Sequence, residues 1–454
     1  MKNTYNSILE TIGRTPLVEI KKMDTGKCRL FVKLENQNPG GSIKDRIALS
    51  MITEAENSGK LVKCGTIIEA TAGNTGIGLA LVGLLKGYRI VLVIPDKMSQ
   101  EKINHLVAMG AEIIITRSDV GKGHPDYYQD RAKKIAEETG AYYINQFENP
   151  ANPRAHYTTT GPEIWEQMNH KTDAIVAGIG SSGTITGLSR YFGEVYPLTE
   201  LVLADPAGSV LADYINTGVL RTDVGSWLVE GIGEDFIPPI ADLSRVHKAY
   251  TINDKDSIDT VRELLRKEGI LAGSSSGTLV CAAIRYCKEQ TEAKNVVTFI
   301  CDSGNKYLSK IYNPNWLRDR GLKSRKNYND LRDIIGRRHE DKTTISLSPG
   351  DSLKTAVTKM KLYDISQLPV LQENKIVGII DESDLLLFMY KGASTLETGV
   401  ENVMSKNLVT LRQDASIDEL LLVFDEGLVA IIEDGKRNFY GLITKIDLIN
   451  FLNK

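Results

Sequence analysis

The stretch NPGGSIKDR, Asn38 to Arg46, decides the reading of this chain, because it places a lysine where helix electrostatics disfavour one. It follows a strand-like FVKLE, Phe31 to Glu35, and opens a helix-patterned IKDRIALSMITEAENSG that ends at Gly59. That order predicts Ser42 as the N-cap and Asp45 as the N3 acid of a capping box. Lys44 then falls in the first helical turn, where a cation opposes the macrodipole and the same field lowers the pKa of its ammonium. A lysine so placed offers a nucleophilic free amine, the group that imine chemistry needs. A solvated surface lysine is the ordinary alternative. The unfavourable position and the adjoining pair Gly40 and Gly41 favour the functional one.

Composition sets the outer bounds. The chain has 454 residues, 42% of them hydrophobic and 25% charged, which is ordinary globular protein with room for two or three domains. A net charge of −3, with no basic block, argues against a nucleic-acid partner. No apolar run approaches the ~18 residues of a membrane span, and MKNTYNSILETIG lacks the apolar core of a signal peptide, so no membrane association is expected and the expected location is cytoplasmic. Cys28, Cys64, Cys281, Cys287 and Cys301 are scattered without a C-x-x-C pair, and the six histidines form no ligand-spaced cluster. They imply reduced thiols and no metal site.

From about Leu30 to Asp302, the short apolar runs TIIEA, IVLVIP, AEIIIT, AIVAGIG, LVLADP and VVTFICD alternate with helix-patterned segments. This rhythm predicts an α/β fold with a mainly parallel sheet. Residues 318–342 are heavily charged and poor in large apolar side chains, which predicts an exposed linker. Beyond it the sequence repeats: ISLSPGDSLKTAVTKM from Ile345 is echoed by VTLRQDASIDELLLVF from Val409. GIIDESDLL from Gly378 is likewise echoed by GLITKIDLI from Gly441. Two copies of one strand-helix-strand-strand-helix unit imply a pseudo-symmetric pair sharing one core, over 343–395 and 396–454.

Three further strand-to-helix turns carry chemistry. AGIGSSGTITG, Ala177 to Gly187, offers Gly180, Ser181, Ser182, Gly183 and Thr184 at a helix start, which suits a phosphate. The same stretch spells G-x-G-x-x-G through Gly178, Gly180 and Gly183, and Asp205 falls near the ribose-binding distance of a dinucleotide fold. An NAD-dependent oxidoreductase is the reading that follows from that fingerprint alone; no hydride-transfer constellation accompanies it. EATAGNTGIGLAL presents Thr71, Ala72, Gly73, Asn74 and Thr75 as a turn suited to a small carboxylate, with Asn74 able to reach a phenolic oxygen. LAGSSSGT, Leu271 to Thr278, is a third hydroxyl-rich turn.

With NPGGSIKDR, these motifs resemble the fold-type-II pyridoxal-phosphate enzymes of the cysteine synthase and cystathionine β-synthase family, across roughly the first 317 residues. The resemblance implies two α/β lobes, Lys44 joined to the cofactor as an imine, Asn74 at the ring hydroxyl, Gly180 to Thr184 on the phosphate and Ser275 at the pyridine nitrogen. Thr71 to Thr75 and Gln146 would grip the substrate carboxylate. A serine, unlike an acidic partner, does not keep the ring nitrogen protonated, which favours elimination at Cβ over transamination. The fused repeats and EGIGEDFIP, Glu230 to Pro238, resemble the cystathionine β-synthase branch, with cysteine synthase, using O-acetylserine and sulfide, as the alternative. That branch implies joining serine or O-acetylserine to homocysteine, with hydrogen sulfide release from cysteine. Where animal members carry tyrosine after EGIG, this chain has Glu234 and Asp235, two acids suited to the ammonium of an amino-acid thiol. No Cys/His pair suits haem, so none is expected.

The repeats resemble a tandem CBS, or Bateman, module, which implies an adenosine-containing ligand such as S-adenosylmethionine, AMP or ATP. Asp384 and Asp447 match its ribose position, and Thr444 with Asp447 completes G-x-x-T-x-x-D. Asp381 stands where the first repeat would need that threonine, and a helix cap explains Thr444 and Asp447 equally well. A non-catalytic ligand sensor is the reading the repeats alone would support. The family further implies a homodimer.

Overall fold

The apolar runs of the first 300 residues form two sheets whose strands are β1 (Leu17–Glu19), β2 (Arg29–Leu34), β3 (Thr66–Ala70), β4 (Arg89–Pro95), β5 (Glu112–Thr116), β6 (Tyr142–Tyr143), β7 (Ala174–Ala177), β8 (Glu200–Pro206), β9 (Val246–Ile252) and β10 (Asn295–Ile300). One sheet has the order β1-β2-β10-β7-β8-β9 and the other β5-β4-β3-β6. Every pairing is parallel except β1 with β2. The computed structural model describes residues 4–71, 73–96, 98–121, 123–390 and 395–452, and separates into two units, Met1–Tyr312 and Asn313–Lys454.

Strands β4 and β8 are buried in all but their first residue, as befits parallel strands covered on both faces. Helices Lys44–Asn57 and Asn74–Lys86 cover one face of the four-stranded sheet, packing Ile47, Met51, Ile52, Ile77, Leu79 and Val82 against Ile67, Ile90 and Leu92. Helix Tyr128–Thr139 covers the other through Ala132 and Ala136 on Ile68, Val91 and Val93. Each large aliphatic side chain buried this way contributes about 1.5–3 kcal/mol. This core anchors the two helices whose first residues are Lys44 and Asn74.

The expected capping box is absent. The helix starts at Lys44 with Ile43 before it, and Ser42 Oγ accepts only from Lys44 N, at 3.3 Å. Asp45 turns back to accept from Gly40 N. The acid thus serves the glycine turn, which has no room for a side chain: a Cβ on Gly40 would lie 2.5 Å from Asp45 Oδ1.

In the second unit, helix Leu353–Tyr363 precedes a hairpin of β11 (Gln367–Gln372) and β12 (Lys375–Asp381), and helix Glu382–Tyr390 follows. The second repeat has β13 (Thr410–Arg412), helix Ile417–Asp425, β14 (Ala430–Glu433), β15 (Phe439–Ile443) and helix Lys445–Leu452. The first strand of the first repeat is reduced to one bridge, Leu347 to Val370. The repeats do not share a single core: each has its own, and a small cluster of Ile376, Ile431 and Phe439 joins them.

Residues 318–342 are only partly an exposed linker: exposed positions dominate 319–329, whereas 331–338 fold onto the second repeat. Leu331, Ile334 and Ile335, at i, i+3 and i+4, are buried with Leu420, Phe424 and Ile443 of the second repeat. The charges come along because they are paired: Arg338, 2% exposed, donates to Asp333 Oδ1 and to the carbonyls of Lys326 and Arg332. Among the described residues no helix is long and apolar enough to cross a membrane, and no group of three or more His, Cys, Asp or Glu side chains could hold a metal ion.

Candidate active site

The turns beyond the carboxyl ends of β2, β3, β7 and β10 meet around Lys44, the customary place for a ligand in a parallel sheet. Burial lowers the Lys44 pKa, while Cys301, Glu234 and Asp302 oppose the shift. The amine therefore stands near the Cys301 thiol and the carboxyl groups of Glu234 and Asp302 yet keeps a larger neutral fraction than a solvated lysine. Beneath it lies a buried ionic network. Arg46 donates to Glu35 through Nε (2.7 Å) and Nη2 (2.8 Å) and to Glu163 through Nη1 (2.7 Å), and Lys33 Nζ donates to Glu163 (2.8 Å) and to Thr15 O (2.7 Å).

The turn after β7 forms an anion cup. Ser182 holds a left-handed backbone, φ +66°, costly for a residue with a Cβ and typical of a functional turn. Helix Gly183–Val195 starts without a side-chain cap, so its first N–H groups have no partner from that source. Ser182 Oγ is buried with no hydrogen-bond partner. A Cβ on Gly183 would lie 1.8 Å from Asn152 Oδ1, so only glycine fits there. Asn152 Nδ2 donates to Ser181 Oγ (2.9 Å) and Gln146 O (2.8 Å), tying the cup to Gln146. Thr184 Oγ1 lies 3.2 Å from His156 Nε2, and His156 Nδ1 lies 2.9 Å from Thr160 Oγ1. Burial, followed by Arg46 and Lys44, pushes the His156 pKa well down and keeps the ring neutral.

The turn after β3 stands opposite. Thr75 Oγ1 donates to Gln146 Oε1 at 2.8 Å, bringing together two expected substrate residues, and Gly73 N donates to Thr71 Oγ1 at 3.2 Å. Helix Asn74–Lys86 also lacks a side-chain cap. Ala72 lies outside the described residues. Glu69, just before the turn, is fully buried, and that burial pushes its pKa up to about 8, so it is protonated at pH 7.

Of the three serines that open helix Ser274–Lys288, Ser274 Oγ accepts from Glu230 N and Ser276 Oγ from Cys301 N. Ser275 instead stands by the Cys301 thiol, whose pKa it draws down against burial, near Lys44. Glu234 Oε1 lies 4.0 Å from where a Cβ on Gly180 would sit, so the carboxylate is at the cup. Its backbone is clamped by Ser209, whose Oγ donates to Glu234 O and accepts from Glu234 N. Burial and then Glu234 raise the Tyr128 pKa well above the usual range; burial, Asp235 and Glu234 raise that of Tyr127 to about 12.

Asp205 removes the dinucleotide reading. It is fully buried and its Oδ2 accepts from Ala212 N at 2.9 Å, capping the next helix instead of facing a ribose. Gly178 is a packing glycine, since a Cβ there would meet Ile232 and Leu279 at 2.8 and 2.9 Å. In the second unit, Thr444 N and Oγ1 donate to Asp447 Oδ2 at 2.8 and 2.6 Å. Asp384 and Asp381 cap each other in the same way, at 3.1 and 2.8 Å.

Pyridoxal phosphate fits these residues. Gly180 to Thr184, with the partnerless Ser182 hydroxyl, would take its phosphate, Lys44 its aldehyde carbon, Asn74 its phenolic oxygen and Ser275 its ring nitrogen. Residues 8–302 match the family model for pyridoxal-phosphate-dependent enzymes, and 333–391 and 400–454 match CBS domains. A cystathionine β-synthase of Saccharomyces cerevisiae is 34% identical, covering 99% of this chain and 98% of that one, and one of Dictyostelium discoideum is 36% identical, covering 100% and 93%. An O-acetylserine-dependent cystathionine β-synthase of Helicobacter pylori matches in structure with TM-score 0.63 and 37% identity over 68% of this chain and 99% of that one. A hydrogen sulfide-producing enzyme of Fusobacterium nucleatum matches with TM-score 0.63 and 38% identity over 67% and 100%. With a pyridoxal-phosphate-dependent enzyme domain followed by two CBS repeats, this chain belongs to the cystathionine β-synthase family of pyridoxal-phosphate-dependent enzymes.

Proposed function

We propose that this enzyme replaces the β-substituent of serine or O-acetylserine with the sulfur of homocysteine, forming cystathionine, and that the same site releases hydrogen sulfide from cysteine. The observation that carries this reading is the Glu234 carboxylate, placed beside the cup and Lys44 with Tyr127 and Tyr128 near it. A carboxylate there suits the ammonium of an amino-acid thiol and offers nothing to sulfide. The similar O-acetylserine-dependent and hydrogen sulfide-producing enzymes support the acetylated donor and the side reaction.

Thr71, Gly73, Asn74, Thr75 and Gln146 hold the substrate carboxylate through backbone N–H groups and side chains. Lys44 Nζ takes the proton from Cα and returns one to the leaving oxygen. Pyridoxal phosphate, when bound, supplies the electron sink that acidifies Cα. Serine or O-acetylserine with homocysteine should outrun either donor with sulfide. Glu234→Ala should lower kcat/KM for homocysteine by about tenfold, as expected for loss of a charge-assisted contact, and leave sulfide nearly unaffected. Equal losses with both nucleophiles would remove the rationale and favour a cysteine synthase.

We further propose that the repeats take an adenosine-containing ligand, with Asp447 on its ribose hydroxyls and Thr444 beside it; Asp384 is the counterpart in the first repeat, where Asp381 opposes a phosphate. The support is the matching reciprocal cap in each repeat, which holds these carboxylates at the helix starts. Calorimetry of the full-length enzyme with S-adenosylmethionine, AMP and ATP should show heat with at least one, and Asp447→Ala should weaken that binding more than about tenfold. No heat with any of the three would leave the repeats a purely structural role.

A further inference from the structure

Lys306 lies in the short turn Gly304–Tyr307, belongs to none of the catalytic motifs, and is 6% exposed. Its Nζ donates to Asn74 Oδ1 (2.8 Å), Gly40 O (3.0 Å) and Gly41 O (3.3 Å), which exhausts the three donors of an ammonium. At its other end Asn74 Nδ2 donates to Asp302 Oδ2 (2.7 Å), which also accepts from the Tyr307 hydroxyl (2.7 Å). An amide's oxygen and nitrogen are interchangeable in shape, so its orientation is set by its neighbours. Here those neighbours leave no choice: an ammonium only donates and a carboxylate only accepts. Burial brings the Lys306 pKa down to about 8, against Asp302 and Asp45, so the group is still a cation at pH 7.

We propose that Lys306 is a positioning residue: with Asp302 it locks the Asn74 amide so that the remaining Nδ2 hydrogen is what Asn74 offers the cofactor's phenolic oxygen, and through Gly40 and Gly41 it braces the turn that carries Lys44. This rests on the reading that Asn74 meets that oxygen. The consequence is chemical. An N–H stabilises the phenolate, whereas a flipped amide would set a carbonyl oxygen against it. Lys306 therefore biases the bound cofactor toward its yellow phenolate form over the near-ultraviolet-absorbing phenol form.

The test reads the absorption spectrum of the full-length holoenzyme, independently of turnover. Lys306→Met should lower the ratio of the yellow to the near-ultraviolet band by about tenfold with the cofactor still bound, and Lys306→Arg should restore it. Asn74→Ala should produce the same shift, and adding Lys306→Met to it should produce no more. If Asn74→Ala shifts the bands and Lys306→Met does not, the proposal falls while the role of Asn74 stands. If the two changes add fully, Lys306 acts through its charge alone, and the proposal falls. If Asn74→Ala leaves the bands unmoved, the Asn74 reading itself is wrong, and the proposal with it. Should Lys306→Met not fold, Lys306→Gln, which keeps the stem but can both donate and accept, must still lower the ratio.

Discussion

Lys44→Ala is expected to abolish cystathionine formation, by more than about 10³-fold, while the fold and the cofactor's phosphate site persist. Lys44 contributes one side chain at a helix start, whereas the cup is built from the backbone of Gly180 to Thr184, the Asn152 bridge and the Ser182 hydroxyl. Nothing in the cup hydrogen-bonds Lys44, so removing its amine leaves those groups in place. Two measurements check this. Turnover with serine and homocysteine should vanish, and pyridoxal phosphate should still co-elute with the variant on gel filtration, though no longer fixed by borohydride. Appreciable cystathionine from the variant would overturn the assignment of Lys44.

Arg46→Ala is expected to cost the catalytic unit about 3–5 kcal/mol, a large share of the roughly 5–15 kcal/mol that holds a typical domain folded. Glu35 is fully buried and accepts two hydrogen bonds from this guanidinium. Burial alone would raise the Glu35 pKa, and Arg46, with smaller help from Lys33 and Thr15, more than offsets it, so Glu35 is an anion in the fold. Without Arg46 the charge is stranded, with Lys33 too committed to Glu163 and Thr15 to replace the guanidinium. A fall of roughly 10 °C in the midpoint of that unit's calorimetric transition should follow. Arg46→Lys should recover only part of it, because a point ammonium cannot repeat the bidentate contact. A loss under about 1 kcal/mol would mean that the network is not dry.

Much of the fold was legible because doubly covered parallel strands read as unbroken apolar runs, as in IVLVIP and LVLADP. Strands β6, with two residues, and β9, whose VHKAYTI mixes exposed and buried positions, carry no such signal. The buried end of the charged stretch, 331–338, was not legible because Leu331, Ile334 and Ile335 are few among many charges, and the Arg338 beside them is buried in a pair that composition does not reveal.

The sequence by itself determined the candidate site's local parts: the lysine at a helix start and the glycine- and hydroxyl-rich turns around Thr71, Gly180 and Ser275, each of which exposes N–H groups within a few residues. Only the tertiary structure decided which of these parts meet and what orients them. Asn152 and His156 reach the cup, and Cys301 and Glu234 come within electrostatic range of Lys44, only once the sheets are assembled. Lys306 and Asn74 are 232 residues apart in the chain, and Asn74 and Asp302 are 228 apart. A buried lysine and aspartate bracketing one amide leave no periodicity or spacing to read, because what defines them is the directional hydrogen bonds they make after folding, and those depend on position in space rather than along the chain.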